Sequence, residues 1–146
     1  MVRPEALQKY SLFGGLLAEQ IEAIIPLMKE EKYNPGDVII NEGDTNDKIY
    51  FILEGQVSVC KGDVLLSHFG EGEAFGEMEV LDVMPAIASI KAISQTTVMS
   101  MSNKDLRQIY KMDIKVFSLM LMNLARDLCR RLRKTDEKLA SSPILL

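Results

Sequence analysis

Residues 33–72 read YNPGDVIINEGDTNDKIYFILEGQVSVCKGDVLLSHFGEG, a series of short runs rich in Val, Ile, Tyr and Phe. Tight turns separate the runs: Pro35-Gly36-Asp37, Glu42-Gly43-Asp44, Glu54-Gly55, Lys61-Gly62-Asp63 and Gly70-Glu71-Gly72. Strands joined by turns about every ten residues favour a closed or double-layered antiparallel architecture over strands that alternate with helices. This segment therefore predicts a mainly β fold, either a jelly roll or a small barrel.

The residues before this segment show a helical pattern. Apolar side chains recur at a spacing that places them on one face of a helix: Leu17, Ile21, Ile25 and Met28. Pro26 is expected to end or kink this helix, because proline lacks the amide hydrogen that an inner helical position donates. We therefore assign residues 1–32 to an N-terminal helical segment.

The residues after the strands predict two helices within residues 103–140, because good helix formers continue without Gly or Pro until Pro143. Ser102 or Asn103 is expected to cap the first helix. The longer helix is expected over residues 113–139. Its apolar side chains follow an approximate heptad: Phe117, Leu121, Leu124, Leu128, Leu132 and Leu139.

This apolar stripe has two interpretations. It covers the β core of its own chain, or its distal half pairs with the same helix of a second copy, because a projecting helix would leave its last leucines uncovered. We favour a homodimer with its interface at Leu121, Leu124, Leu128, Leu132 and Leu139. The basic residues that crowd this helix are interpreted as its solvated face: Arg126, Arg130, Arg131, Arg133, Lys134 and Lys138.

Composition narrows the range of functions. A length of 146 residues suits one domain, and a net charge of −4 argues against a generally cationic nucleic-acid binder, so we expect no direct DNA binding. Cys60 and Cys129 lie far apart, and no apolar run approaches the ~18 residues of a membrane span. A cytoplasmic protein without membrane contact is expected. His68, the only histidine, falls in a predicted strand, so neither a metal site nor an enzyme is expected.

The segment expected to carry the function is GEAFGEMEVL at residues 72–81, followed by PAIASIKA at residues 85–92. A glycine between a strand and a short helix lets backbone N–H groups converge, and converging donors can hold an anion. Alone, this pattern has little specificity.

Together with Pro35-Gly36-Asp37, Glu42-Gly43-Asp44, Tyr50-Phe51-Ile52 and Gly55-Gln56-Val57-Ser58-Val59, the segment resembles a known family. This family is the cyclic-nucleotide-binding domain of the catabolite activator and protein kinase A regulatory subunit superfamily, without the helix-turn-helix domain. The resemblance runs from about residue 12 to residue 139. It implies one domain over residues 1–146, with an eight-stranded antiparallel β-roll (a jelly-roll-like double-stranded β-helix) over residues 33–102. It also implies a phosphate-binding cassette at residues 72–89 for cyclic AMP or cyclic GMP, and a long C-terminal dimer helix.

The resemblance also assigns the ligand positions. Gly76 and Glu77, after Phe75, match a Phe-Gly-Glu motif whose glutamate accepts a hydrogen bond from the ribose 2′-hydroxyl. Ala86 stands where the family has an arginine that pairs with the cyclic phosphate. Ile87 replaces a smaller residue. The other cassette positions are Met78, Glu79, Ala88 and Ser89, of which Glu79 places a carboxylate where the family has Ala or Gly.

On the long helix, Thr135 matches a residue that contacts the adenine amino group in the family. Asp136 replaces a serine that the partner subunit supplies. Two of the carboxylates also have non-ligand interpretations. Glu77 could simply stabilise the start of a helix, and Glu79 could be exposed to solvent.

At Ala86, Ile87 and Glu79 the sequence differs from the family pattern. These differences predict a regulatory module that binds cyclic nucleotide weakly or not at all. Such a module is expected to act through ligand- or partner-dependent helix movement. Cyclic AMP or cyclic GMP is named as a ligand only because the family binds it. The other option is an uncharged or cationic ligand. Two alternatives remain open. One is a working sensor whose cation comes from elsewhere, such as the arginine-rich helix of a partner copy. The other is a dimeric interaction scaffold that engages a protein partner through the dimer helix and residues 143–146.

Overall fold

The computed structural model describes residues 2–142. The helices are α1 (Pro4–Leu7), α2 (Ala18–Ile24), α3 (Glu77–Asp82), α4 (Asn103–Met112) and α5 (Ile114–Ser141). The strands are β1 (Lys29–Tyr33), β2 (Val38–Ile40), β3 (Lys48–Glu54), β4 (Val57–Lys61), β5 (Val64–Phe69), β6 (Ala74–Phe75), β7 (Ser89–Ala92) and β8 (Thr96–Ser102). The tail at residues 143–146, which the scaffold alternative assigns to partner binding, lies outside the described residues.

The strands form two four-stranded antiparallel sheets, in the orders β1-β8-β3-β6 and β2-β7-β4-β5. Strand β3 shows why the roll has two cores. Ile49 and Phe51 belong to the core cluster that packs under the helices, whereas Tyr50 and Ile52 belong to a second cluster inside the roll. Successive side chains of a strand point to opposite faces, so one strand serves both cores. The predicted mainly β fold, an antiparallel roll flanked by helices, is confirmed.

The N-terminal prediction needs two corrections. The helix that carries the apolar stripe ends at Ile24, because Pro26 lies in a 3₁₀ turn and the backbone of Met28 is extended. At the other end of the stripe, Leu17 is 56% exposed. The roll also begins earlier than residue 33. Strand β1 pairs with β8 from Lys29 onward, although its sequence, KEEKY, has the charged composition of an exposed edge.

The C-terminal segment forms the two predicted helices. Ser102 caps α4: its hydroxyl accepts a hydrogen bond from the amide of Asp105, whose carboxylate accepts one from the amide of Ser102. Asp113 caps α5 by accepting from the amides of Lys115 and Val116.

Helix α5 has two different halves. Its first half packs on the core through Val116, Met120, Asn123 and Leu124. From Leu132 onward every described residue is exposed. Leu124 is only 4% exposed and belongs to the core of its own chain, so it is not on a surface that a partner could cover. The proximal half of the apolar stripe therefore covers the core of its own chain, as the first interpretation predicts. The distal half is not covered by the described residues.

Gly76 fixes the junction between β6 and α3. Its φ angle is 82°, in the left-handed region that favours glycine. A Cβ atom there would lie 2.6 Å from the carbonyl oxygen of Lys48 and 2.9 Å from the side-chain nitrogen of Asn46. The close approach of β3 to this turn therefore requires glycine.

We expect Gly76→Ala to lower the free energy of unfolding by about 3 kcal/mol, from left-handed strain plus a backbone clash. Gly36→Ala is the matched control, because Gly36 also has a positive φ of 93° but no atom within 4 Å of the added Cβ. It should cost only about 1 kcal/mol. Urea unfolding measures both values. Equal losses would contradict a role for the close approach at Gly76.

Candidate functional site

The cassette surrounds a small pocket between the roll and α5. Strand β6 delivers Phe75, Gly76 turns the chain, and α3 begins with Glu77. The pocket has a volume of about 120 Å³. We call it the cassette pocket, and its walls are Val59, Leu66, Phe69, Phe75, Gly76, Glu77, Met78, Glu79, Ile87, Ala88, Ile90 and Arg131. Most of the predicted cassette residues thus come together around one space.

Ala86 and Ser89 are not on these walls. Ala86 is 5% exposed and packs in the inner core cluster. Its amide donates to the carbonyl of Asp44 at 2.9 Å, and its carbonyl accepts from the amide of Gly43 at 2.8 Å. The Ser89 hydroxyl accepts a hydrogen bond from the amide of Glu42 at 2.8 Å. The structure therefore holds the segment around Ala86 firmly, but this position supplies no positive charge.

Glu77 is buried and paired with a distant arginine. It is 2% exposed, and its Oε1 lies 2.5 Å from Nη1 of Arg131. The second guanidinium nitrogen, Nη2, donates to the carbonyl of Ala74, and the guanidinium carbon lies 4.1 Å from the centre of the Phe69 ring. Arg131 is thus held by a carboxylate, a carbonyl and an aromatic face.

The second oxygen of the Glu77 carboxylate is not satisfied. Within residues 2–142, Oε2 is buried without a hydrogen-bond partner. Burial raises the pKa of Glu77 above its usual value, and the nearby charge of Arg131 opposes that rise. A buried acceptor without a partner is costly, so this atom is suited to a ligand that donates a hydrogen bond.

Glu79 lies on the pocket wall and is half-buried rather than freely exposed. Burial raises the pKa of its carboxyl group, while its own backbone amide and the Asn46 side chain act in the opposite direction. The pocket wall therefore carries two carboxylates and one guanidinium. When all three are ionised, the wall has a net negative charge.

The predicted base-facing residues lie on α5, beyond the pocket. Thr135 is exposed, and its hydroxyl donates to the carbonyl of Arg131 in the preceding helical turn at 3.1 Å. It borders a groove of about 440 Å³ between α3 and α5, which we call the α3–α5 groove; it is lined by Met78, Leu81, Asp82, Leu128, Arg131, Leu132 and Thr135. Asp136 is exposed on α5 and is not a wall of the groove.

Sequence reasoning missed the position of Arg131. We expected it on the solvated face of the helix, but it projects into the cassette pocket. A signal was present, because Arg131 follows Leu124 by one heptad and so shares the face that packs on the core. Within residues 2–142, no three His, Cys, Asp or Glu side chains form a metal-binding group.

We expect Arg131→Gln to lower the free energy of unfolding by about 3 kcal/mol, because it leaves the Glu77 carboxylate buried without its cation. The loss should be smaller near pH 5 than near pH 8. Without the guanidinium the folded-state pKa of Glu77 rises further, so stability is retained at low pH, where the carboxyl is protonated, and is lost as the pH rises through that pKa. Chemical unfolding at both pH values measures this.

The control for this prediction is the double variant Glu77→Gln/Arg131→Gln, which removes both charges together. It should recover most of the stability that the single change loses, and its stability relative to wild type should vary less with pH. A single variant as stable as wild type at both pH values would show that the ion pair makes no contribution.

The sequence of this chain is similar to that of known proteins. A family model described as "Cyclic nucleotide-binding domain" matches residues 30–113. The chain is 31% identical over 133 residues to the cyclic AMP receptor protein of Thermus thermophilus, covering 88% of this chain and 60% of that protein. It is also 31% identical over 105 residues to a type II regulatory subunit of cAMP-dependent protein kinase from Drosophila melanogaster, covering 72% of this chain and 28% of that protein.

The fold is also similar to that of a solved cyclic nucleotide-binding domain. A crystal structure of a cyclic nucleotide-binding domain from Methylobacillus flagellatus superposes with a TM-score of 0.87 at 26% identity, covering 99% of this chain and 84% of the other. The chain spans less than two thirds of the length of both curated relatives. Among residues 2–142, no helix combines the length and apolar character needed to cross a bilayer. The match of the family model over more than half of the sequence, together with this fold, places the chain in the cyclic nucleotide-binding domain family.

Proposed function

We propose that this chain is a regulatory domain of the family whose cassette binds cyclic AMP and cyclic GMP weakly or not at all. The observation that carries the proposal is the charge of the cassette pocket. Ala86 supplies no cation, and the guanidinium that lines the pocket, Arg131, is paired with the buried Glu77. A cyclic phosphate would therefore meet Glu79 without a free counter-charge, and burying an unpaired anion costs several kcal/mol.

The size of the pocket supports the same proposal. Its volume of about 120 Å³ is well below the ~300–1,000 Å³ typical of small-molecule sites. Because Arg131 lies on the wall, a ligand of nucleotide size would have to displace its side chain. Displacement would break the contacts with Glu77, Ala74 and Phe69 that join α5 to the cassette. Movement of α5 is thus the expected output of binding.

The chemistry of the pocket favours an uncharged or cationic ligand. Such a ligand would donate a hydrogen bond to Oε2 of Glu77, the buried acceptor without a partner in residues 2–142. A positive group would also be attracted to Glu79, whose carboxylate is half-buried on the same wall. Both interactions would be stronger in this partly dry site than in water.

A second candidate function is a working cyclic nucleotide sensor that uses Arg131 as its substitute cation. The position of the Arg131 guanidinium on the pocket wall favours it. This candidate requires the phosphate to compete with Glu77 for the same guanidinium. The two candidates differ in whether the wild-type chain binds cyclic nucleotide at all.

Isothermal titration of the wild-type chain with cyclic AMP and cyclic GMP should give no binding at micromolar concentration. Ala86→Arg should tighten binding by about a hundredfold, because it restores a charged hydrogen bond to the phosphate. Arg131→Gln tests the guanidinium on the pocket wall, and Arg133→Gln is its matched control, because it removes an exposed charge from the same helix. Thermal melts report whether each variant is folded.

Micromolar binding by wild type would contradict the weak-binding proposal. If that binding were then lost in Arg131→Gln but kept in Arg133→Gln, the substitute-cation function would be supported instead. Lack of binding by a folded Ala86→Arg variant would show that the missing arginine is not the cause of weak binding.

We also propose that the chain forms a homodimer through the distal half of α5. Leu128 lies half-buried in the α3–α5 groove, while Leu132 and Leu139 are 62% and 66% exposed. Apolar side chains repeated along one exposed helix favour pairing with a second helix. Met78 and Leu81 extend the same apolar surface onto α3. The scaffold alternative depends on residues 143–146, outside the described residues.

Light scattering on a sizing column should give a dimer for wild type and a monomer for Leu132→Glu/Leu139→Glu, because pairing would bury the introduced carboxylates of both copies in the interface. Leu17→Glu, at a residue that is 56% exposed before α2, is the matched control and should remain dimeric. A wild-type monomer at every concentration would exclude helix pairing.

A further inference from the structure

Another cavity borders α3 and shares no wall residue with the cassette pocket. It has a volume of about 300 Å³, opens to solvent on one side and is bordered by α3, α4, α5 and the sheet that contains β3 and β8. We call it the helical cavity, and its walls are Leu12, Ile49, Val80, Leu81, Met101, Asn103, Leu106, Arg107, Tyr110, Phe117, Met120, Leu121 and Leu124. Its volume reaches the lower end of the ~300–1,000 Å³ range typical of ligand sites.

The helical cavity is apolar at its inner end. Leu12, Ile49, Met101 and Met120 are each at most 2% exposed. They offer no hydrogen-bonding group through their side chains, so the inner end suits a hydrocarbon group. The mouth is formed in part by Tyr110 and Leu121 and is more exposed.

One edge of the cavity is polar and positively charged. Asn103, Arg107 and Tyr110 recur along α4 at helical spacing and face the same space. In the described part of the chain, Arg107 forms neither an ion pair nor a hydrogen bond through its side chain, although Arg130 and Arg131 form both. The guanidinium of Arg107 is thus available to an anion at the cavity mouth.

The net charge of α4 also favours an anion at this edge of the cavity. Lys104, Arg107 and Lys111 outnumber the single acid of the helix, Asp105, whose carboxylate is engaged with Ser102 at the N-terminus of α4. This helix is therefore locally positive although the whole chain has a net charge of −4. A negative headgroup would be favoured at this edge by long-range attraction as well as by direct contact.

We propose that the helical cavity binds an amphipathic monocarboxylate, with its hydrocarbon chain among the buried side chains and its carboxylate at Arg107. The site shares no wall residue with the cassette pocket, so the proposal does not depend on whether the cassette binds cyclic nucleotide. Val80 and Leu81 of α3 nevertheless form part of its wall. An occupant would therefore lie between α3 and the other two helices, and would contact the helix that begins at Glu77.

The probe is decanoate, added to the full chain at concentrations where it is monomeric. Methionine methyl groups labelled with ¹³C report its position by NMR, because Met101 and Met120 line the cavity whereas Met84 is 59% exposed elsewhere. We expect saturable shifts at Met101 and Met120 and none at Met84. Decanol, which has the same chain length without the charge, should bind about tenfold more weakly.

Variants of α4 test the role of Arg107. Arg107→Gln should weaken decanoate binding about tenfold and leave decanol binding unchanged. Lys111→Gln is the matched control: it removes the same charge from the same helix at a residue that does not line the cavity, and it should have little effect. Arg107→Lys should restore part of the affinity.

Three results would overturn the proposal. The first is the absence of shifts at Met101 and Met120. The second is a lack of dependence on the Arg107 charge, measured as equal affinity for decanoate and decanol or as equal losses in Arg107→Gln and Lys111→Gln. The third is the appearance of the same shifts when only the protein concentration is raised, since a second copy would then cover the cavity.

Discussion

The ion pair between Glu77 and Arg131 connects the cassette to the long C-terminal helix. Glu77 begins α3 in the cassette, and Arg131 lies far along α5. A carboxylate that is 2% exposed must be paired or protonated, because a low-dielectric interior strongly disfavours an isolated charge. This requirement holds the middle of α5 against the cassette, and beyond this contact the helix is exposed to its last described residue.

The same pair sets much of the charge on the wall of the cassette pocket. With no arginine at position 86, the positive charge in the pocket comes from Arg131, which approaches from a helix and already has a partner. The charge distribution therefore differs from the one that the family resemblance implies, where a cation within the cassette meets the phosphate. This one interaction joins the wall of the cassette pocket to α5, so under the proposed function a ligand that breaks the pair would also move the helix.

Helix α3 occupies a central position between two spaces of different character. Glu77, Met78 and Glu79 face the small cassette pocket, while Val80 and Leu81 face the apolar helical cavity. The helix is short, and residues in left-handed conformation flank it at both ends: Gly76 at a φ of 82° and Val83 at a φ of 56°. The second is unusual for a β-branched residue and is a local source of strain. A change in either space would therefore act on the same short element.

Local sequence determined the strands and their turns, the cap at Ser102, the glycine that begins the cassette and the absence of an arginine at position 86. These features depend on neighbouring residues, through backbone conformation, side-chain alternation and capping hydrogen bonds. The tertiary structure decided the rest. It placed the charged strand β1 beside β8, buried Leu124 in the core and turned Arg131 into the cassette pocket. Glu77 and Arg131 are 54 residues apart in the chain, and only the packing of α5 on the roll brings their charges together.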